Sequence, residues 1–285
     1  MVKQVSENPD SLTLGGEERE LTILFLDIRG FSSLSETMRP NEITAFLNKF
    51  LTPMTDILQD HNATIDKYIG DAIVAFWNAP LDDVHHAKNS ALAVLEMQQK
   101  LSDLNQQYIN QQGFQWPGQV KIGVGLNTGI CCVGNLGSEQ RFSYSMIGDA
   151  ANLASRIEGL TKQYGLENLI GQATADQIED FAVLEMDIVS VVGRVNPEPI
   201  HAIIGGVEHA KSQAVANLKQ KHQSFLKAYR EQAWKQAQSI AQDLKTAAPR
   251  YGLDQYYTMM MERMDKYKTN PPPSDWGGIY HSTSK

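Results

Sequence analysis

The chain is organised around one short segment, Leu21-Thr22-Ile23-Leu24-Phe25-Leu26-Asp27-Ile28-Arg29-Gly30-Phe31-Ser32. Its apolar run has the length of a strand and the continuous hydrophobicity typical of a strand buried on both faces. Asp27 marks the point where that strand leaves the core, and Gly30 follows in the turn. A carboxylate fixed there, beside N–H groups that a ligand can approach closely, is suited to hold a phosphate-bound cation. A solvated aspartate after a strand is the alternative.

A second stretch, residues 64–77, reads as two short strands joined at Gly70-Asp71. This spacing predicts a tight hairpin with Asp71 at its tip. If the hairpin pairs with the first strand, Asp27 and Asp71 lie side by side. Two adjacent carboxylates repel each other unless a cation lies between them, and hard oxygen ligands suit Mg²⁺ or Mn²⁺. Ordinary turn chemistry is the alternative for Asp71.

The composition limits the classes of protein that the chain can belong to. Its 285 residues, 42% hydrophobic and 20% charged, provide enough material for one large globular domain or a domain with an appendage. The net charge of −8 argues against a broad surface for nucleic acid or anionic membrane. Cys131 and Cys132 are too few for a disulfide framework, which predicts a reducing, cytoplasmic compartment. No membrane span or signal peptide is predicted, although the chain could be the cytosolic part of a membrane-anchored protein.

Hydrophobic periodicity orders the remaining elements. Residues 40–60 and 83–111 have helical spacing, and residues 120–127 and 130–133 predict a pair of strands. The order strand, helix, strand, strand, helix, strand is the split βαβ arrangement of a ferredoxin-like sheet, an α+β fold. Such a sheet carries helices on one face, so we expect a partner subunit to cover the other.

Composition and hydrophobic periodicity divide the chain into four predicted regions. Residues 1–18 are a polar tail or linker, 19–205 form the domain that carries the motifs, 206–268 form a helical appendage, and 269–285 form a Pro-rich tail. In the appendage, one helix is expected over 218–244 and a second over 253–264. This hairpin is similar to a single tetratricopeptide-type unit, which must pack on the main domain or on a partner.

A third informative stretch runs from a strand at residue 141 into a helix that begins near Gly148-Asp149. On this helix Asn152 and Arg156 are four residues apart and share a face. An amide and a guanidinium aimed together are suited to stabilise charge on a phosphoryl group or to contact a ribose oxygen. An exposed helix with a surface arginine is the alternative.

Taken together, the three stretches resemble the catalytic domain of the class III nucleotidyl cyclases. The segments that carry the resemblance are Phe25–Ser32, Lys67–Asp71 and Gly148–Arg156, in this order and at this spacing. The resemblance covers about residues 15–205. It is strongest to bacterial adenylate cyclases whose catalytic domain follows a membrane-anchored extracytoplasmic sensor, because the Pro-rich C-terminal ending is similar to theirs.

The resemblance implies an adenylate cyclase that converts ATP into 3′,5′-cyclic AMP and pyrophosphate. Asp27 and Asp71, with the backbone carbonyl of Ile28, would bind two divalent metal ions, Mg²⁺ or Mn²⁺. The phosphates would be held by the N–H groups of the turn, which are those of Ile28, Arg29, Gly30, Phe31 and Ser32.

The resemblance also implies that two chains share each site. Asn152 would position the ribose and Arg156 would stabilise the transition state. In this family the catalytic residues lie across a head-to-tail homodimer. Each site would therefore take Asp27 and Asp71 from one chain and Lys67, Asn152 and Arg156 from the other.

Base choice depends on two further positions. Adenylate cyclases of this family recognise adenine with a Lys paired with an Asp or Thr, whereas guanylate cyclases use Glu and Cys or similar residues. Lys67 and Ser145 occupy these positions here; Lys67 favours ATP, and Ser145 departs from the commonest pairs. Arg194 occupies the place of a Lys-Gly-Lys motif that reaches the phosphates in many relatives. A guanylate or pyrimidine cyclase and a catalytically silent nucleotide-binding or dimerising module stay open as alternatives.

Overall fold

A computed structural model describes residues 14–109, 116–190, 196–247 and 251–281. No helix among these residues is both long enough and apolar enough to cross a membrane. The strands are β1 (Gly15–Ile28), β2 (Thr64–Ile69), β3 (Ala72–Trp77), β4 (Ile122–Ser138), β5 (Arg141–Ile147), β6 (Asn168–Gly171), β7 (Ala182–Ser190), β8 (Glu198–Gly205) and β9 (Ile279–His281). The helices are α1 (Phe31–Ser35), α2 (Pro40–Asp60), α3 (His86–Tyr108), α4 (Asp149–Tyr164), α5 (Gln172–Ala175), α6 (Val207–Ala210), α7 (Gln213–Arg230), α8 (Trp234–Ala247) and α9 (Asp254–Thr269).

The strands of the described chain form one mixed sheet. Their order is β2-β3-β1-β4-β6-β8-β7-β9, and β5 pairs with the outer part of β4. β1 is antiparallel to both β3 and β4, and β4 is parallel to β6. The predicted α+β fold is therefore confirmed. The first strand lies between the hairpin and the fourth strand, which brings the end of β1 to the hairpin tip.

β1 and β4 are longer than the sequence suggested. β1 begins at Gly15, inside the segment expected to be a linker, and β4 is one strand where two were predicted. The two strands pair over the whole of β1, from Gly15 opposite Asn135 to Ile28 opposite Ile122. This long antiparallel ladder keeps Thr128-Gly129 extended rather than turned, because both residues pair with β1.

Alternate residues of β1 face two different layers. Leu24 and Leu26 pack in the core cluster that holds buried residues of α2 and α3, whereas Leu21 and Ile23 pack with residues of α4. Helices thus lie on both faces, and α4 provides part of the cover that we expected from a partner alone. Gly125 allows α4 to lie close to β4, since a Cβ there would lie 2.4 Å from the carbonyl oxygen of Ala154.

The C-terminal helices pack against the far end of the sheet. Arg263 of α9 forms a buried ion pair with Asp187 of β7, and the Tyr164 hydroxyl at the end of α4 donates to the same carboxylate at 2.6 Å. Tyr256 donates to the carbonyl of Met186 at 2.7 Å. β9 extends the sheet by pairing in parallel with β7. Residues after 205 therefore share a hydrophobic core with the sheet and α4.

The described part of the appendage contains three long helices where the sequence predicted two. The expected helix over 218–244 is interrupted at Gln232, whose φ is 56°. The N–H of Ala233 donates to the carbonyl of Ala228 at 2.9 Å, and that of Gln232 donates to the carbonyl of Tyr229 at 3.1 Å. These two bonds form a Schellman cap, which ends α7 without a glycine. Side-chain periodicity continues across such a cap, so the pattern could not reveal it.

Candidate active site

Asp27 and Asp71 lie side by side at the end of β1. The pairing of β1 with β3 aligns Leu26 with Ile73, which brings the hairpin tip to the last residues of β1. Gly70, with φ 64°, makes the tight turn that presents Asp71. The N–H of Ile28 donates to Asp27 Oδ1 at 2.9 Å and lies 3.2 Å from Asp71 Oδ2. The structure thus brings the two carboxylates together at the N–H group of Ile28.

The electrostatics of this pair favour a cation. Burial raises the pKa of Asp71 to about 7, with further contributions from the hydrogen bond and the charge of Asp27. A divalent cation would remove this penalty, because it stabilises both ionised carboxylates. The described residues contain no group of three or more His, Cys, Asp or Glu side chains that could hold a metal. Two hard oxygen donors fit Mg²⁺ or Mn²⁺ if the carbonyl of Ile28, water and substrate phosphate complete the ligand set.

The turn after β1 offers fewer free N–H groups than the sequence suggested. The N–H of Arg29 donates to the carbonyl of Lys121 at 2.8 Å, and the N–H of Ile28 is occupied by the carboxylates. Gly30 adopts a left-handed conformation, with φ 70°, and caps α1. The first N–H groups of a helix have no partner inside it. The candidate phosphate donors are accordingly those of Gly30, Phe31 and Ser32.

Glu158 is a residue of this region that the sequence reading missed. The Arg29 guanidinium lies 3.7 Å from its carboxylate and also donates to the hydroxyl of Thr161. Burial raises the pKa of Glu158 to about 7; the charge of Arg29 opposes this shift, and the charges of Asp27 and Asp71 add to it. No spacing pattern pointed to Glu158, because its partner Arg29 lies on a distant segment.

The two predicted catalytic residues of α4, Asn152 and Arg156, lie on a different face of the helix from Glu158. Asn152 is exposed, and Arg156 is half-buried with its Nη1 atom lacking a hydrogen-bond partner among the described residues. Glu158, which faces Arg29 and the carboxylate pair, follows Arg156 by two positions. Residues two apart on an α-helix are separated by about 200° around its axis. Arg156 therefore points away from the Asp27–Asp71 pair of its own chain.

Lys67 and Asn152 line the same cavity, which has a volume of about 160 Å³. From β5 the cavity is lined by Met146 and Ile147, whereas Ser145 is buried and pairs with Gly134 of β4. Among the described residues, neither Asp27 nor Asp71 lines this cavity. Arg194, the remaining candidate phosphate ligand, lies outside the described residues.

The mixed sheet ends in a carboxylate pair, with an amide and a guanidinium on the neighbouring helix, which is the arrangement that the sequence resemblance to class III cyclase domains implied. Residues 16–204 match the family of adenylate and guanylate cyclase catalytic domains. The match covers more than half of the chain, and the chain belongs to this family.

Similar proteins include both kinds of cyclase. The chain is 42% identical over 173 residues to an adenylate cyclase of Anabaena cylindrica, covering 59% of this chain and 33% of that protein. It is 30% identical over 190 residues to adenylate cyclase 1 of Rhizobium meliloti, covering 66% of this chain and 28% of that protein. The chain thus spans a third or less of the length of these two relatives.

Two solved structures resemble the fold at similar identity. The guanylyl cyclase Cya2 superposes with a TM-score of 0.61 at 34% identity, covering 68% of this chain and 95% of that one. The adenylyl cyclase CyaB of P. aeruginosa superposes with a TM-score of 0.61 at 32% identity, covering 68% of this chain and 97% of that one.

Proposed function

We propose that this chain is an adenylate cyclase that converts ATP into 3′,5′-cyclic AMP and pyrophosphate in a homodimer with shared sites. Two relatives that match most of the cyclase domain are named adenylate cyclases. Lys67 lines the candidate base cavity and provides a donor for a ring nitrogen of adenine.

The single observation that carries the proposal is the direction of Arg156. Because this residue points away from the carboxylate pair of its own chain, a complete site requires Arg156 from a second copy. The rim of the Lys67 cavity is consistent with such a partner, since Ile69 is 58% exposed and Ile147 is 66% exposed there. A second chain placed over this face would cover these side chains and complete two equivalent sites.

The residues of the chain then divide the work of cyclisation. The N–H groups of Gly30, Phe31 and Ser32 hold phosphate oxygens. Asn152 orients the ribose so that its 3′-oxygen attacks the α-phosphorus in line. The new O3′–P bond forms as the bond to the β-phosphate breaks, the hydroxyl proton leaves to solvent, and pyrophosphate departs. Arg156 stabilises the negative charge that develops on the transferred phosphoryl group.

Asp27 and Asp71, with the carbonyl of Ile28, would hold the divalent cations. When bound, such cations supply charge neutralisation of the triphosphate and a lowered pKa of the attacking hydroxyl. The raised pKa of Asp71 supports this assignment, because burial and the charge of Asp27 disfavour its ionised form unless a cation lies close by.

A guanylate cyclase is the second candidate function. The guanylyl cyclase Cya2 and the adenylyl cyclase CyaB are almost equally similar to this chain, at 34% and 32% identity. Ser145 also differs from the Asp or Thr that the resemblance associates with adenine. A silent nucleotide-binding module is less well supported, since every position of the catalytic motifs is filled. A pyrimidine cyclase stays an alternative that the product analysis decides.

We extend the proposal to the organisation of the chain. Residues 19–205 would be the catalytic unit, 206–268 a helical appendage and 269–285 a terminal segment that helps to fix it. A cytoplasmic location stays a prediction from the sequence pattern, and so does a place as the cytosolic part of a protein with an N-terminal membrane-anchored sensor.

The proposal is tested by incubating the purified chain with Mn²⁺ and ATP, GTP, CTP or UTP in separate reactions. We expect cyclic AMP from ATP, with a specific activity that rises with protein concentration as dimers form. Formation of cyclic GMP from GTP, with no cyclic AMP from ATP, would establish the guanylate alternative. No cyclic product from any of the four nucleotides would leave only the silent module.

A further inference from the structure

Asp66 is a buried acid that belongs neither to the proposed metal ligands nor to the proposed catalytic residues of this chain. Its side chain is 2% exposed, and its Oδ1 atom has no hydrogen-bond partner among the described residues. Its other oxygen, Oδ2, lies 3.4 Å from Lys67 Nζ. A buried carboxylate oxygen without a donor destabilises a fold. The chain therefore keeps an unsatisfied acceptor directly beside the lysine of the base cavity.

A β-bulge places Asp66 and Lys67 on the same cavity. In a regular strand, successive side chains point to opposite faces, so only one of the two would reach it. The register between β2 and β3 shifts between Ile65 and Lys67, and Asp66 is the residue left without a partner in β3. Bulges of this kind redirect side chains next to functional sites. Both residues line the cavity that Asn152 also lines.

We infer that Asp66 accepts a hydrogen bond from the exocyclic amino group of adenine and so determines base specificity together with Lys67. The inference rests on the proposed function, whose site it completes. Adenine presents an amino donor next to a ring-nitrogen acceptor, and a carboxylate beside an ammonium matches that pair.

The position of Ser145 supports this assignment. The resemblance gave the role of second base contact to Ser145, but this residue is buried and pairs with Gly134, while Met146 and Ile147 line the cavity from the same strand. Asp66 supplies an acceptor that Ser145 does not present to the cavity.

We expect two results from the variant Asp66→Asn. Its amide can place an N–H donor against the adenine amino group, so kcat/KM for ATP should fall by about 10- to 100-fold, the usual effect of losing a charge-assisted hydrogen bond. The same change keeps the size of the side chain and weakens only its 3.4 Å contact with the exposed Lys67, so the melting temperature should stay close to that of the wild type. A residue with a merely structural role would show a lower melting temperature instead.

The decisive measurement compares two substrates. ATP and purine riboside 5′-triphosphate differ only in the 6-amino group, so the penalty of Asp66→Asn should appear with ATP and disappear with the analogue. Asp56→Asn is the matched control, since Asp56 is an exposed residue of α2 and undergoes the same chemical change. Equal penalties with both substrates, or none with ATP, would overturn the inference.

Equilibrium binding separates this inference from the proposed function. ATP and the analogue are bound to the wild type and to Asp66→Asn in the presence of Mn²⁺. If the wild type binds ATP more tightly than the analogue and Asp66→Asn loses that preference, the inference stands even where no cyclic product forms. If product forms but the preference is unchanged in Asp66→Asn, the inference alone fails. A wild type that binds neither nucleotide contradicts both.

Discussion

Asp27 and Asp71 accept from one N–H group, that of Ile28, at 2.9 and 3.2 Å. Burial, together with the hydrogen bond and charge of Asp27, raises the pKa of Asp71 to about 7, although the backbone N–H groups of Asp71 and Ile28 act in the opposite direction. The pair is held by β1 and by the turn of the β2–β3 hairpin, which are themselves fixed by sheet pairing. The fold therefore holds the two carboxylates close together despite their mutual repulsion. A divalent cation bound between them would relieve that repulsion.

Asp27→Ala and Asp71→Ala should each reduce formation of cyclic nucleotide to background while the protein stays folded. Each change removes a carboxylate that would hold a cation, and neither removes a core side chain. Activity with Mn²⁺ and ATP, read beside far-ultraviolet circular dichroism, checks this. Asp60→Ala, at an exposed position of α2, is the control. Substantial turnover by either carboxylate variant would remove the metal assignment.

Mixing an Asp27→Ala chain with an Arg156→Ala chain should restore activity. Random pairing gives half of the dimers one intact site out of two, so the mixture should reach about a quarter of the wild-type rate. Each variant alone should stay inactive. If heterodimers form, as shown by native mass spectrometry, and no activity returns, the shared site is wrong.

The stability of the metal-free protein should fall as pH rises through the titration of Asp71. The folded-state pKa of about 7 lies above the ordinary value of 3.8, so the folded protein retains a proton that the unfolded chain releases. Stability associated with the protonated form is thus lost between about pH 4 and pH 7. Asp71→Asn should flatten this part of the curve of melting temperature against pH.

Metal binding gives an independent test of the Asp27–Asp71 pair. Mn²⁺ at pH 8 should raise the melting temperature of the wild type, because it binds only the folded carboxylate pair. Asp71→Asn should lose most of this increase. An equal increase in both proteins would place the bound cation elsewhere.

His222 should make the protein sensitive to acid. It is fully buried, with Nε2 2.6 Å from the carbonyl of Glu185 and Nδ1 2.8 Å from the Tyr257 hydroxyl. Since a carbonyl only accepts, Nε2 carries the proton of the neutral ring. Burial lowers the pKa of His222 from 6.5 to about 4, so the unfolded chain takes up a proton first as pH falls.

The resulting loss of stability should amount to about 3 kcal/mol between pH 6.5 and pH 4. Urea unfolding across this range checks the slope, and His222→Gln should remove this contribution from it. A slope that is the same in both proteins would assign the acid sensitivity to other groups.

Arg263→Leu should destabilise the protein by about 3 to 5 kcal/mol, because it leaves the charge of Asp187 buried without its partner. The double variant Asp187→Leu with Arg263→Leu should recover part of that loss, since no unpaired charge is left. Chemical denaturation measures both. Lys221→Leu is the control, because its ion pair with Asp243 is exposed and should contribute little. Similar losses for Arg263→Leu and Lys221→Leu would contradict the role of the buried pair.

Much of the fold followed from local patterns. The apolar run that ends at Asp27 predicted a buried strand, and Gly70-Asp71 predicted the hairpin turn. The spacing of Asn152 and Arg156 predicted a shared helix face. These features depend on residues within a few positions of each other. Their backbone preferences and their alternation of apolar and polar side chains are visible in the sequence.

The remaining features depended on contacts between segments that are far apart in the sequence. The register of β1 against β4 assigned the N–H of Arg29 to Lys121 and so removed it from the phosphate donors. The packing of α4 brought Glu158 to Arg29, and the bulge in β2 turned Asp66 toward the cavity of Lys67. Sequence alone determined which chemical groups this protein carries at the ends of its elements. Long-range pairing determined which of those groups are already satisfied and which are left for a ligand.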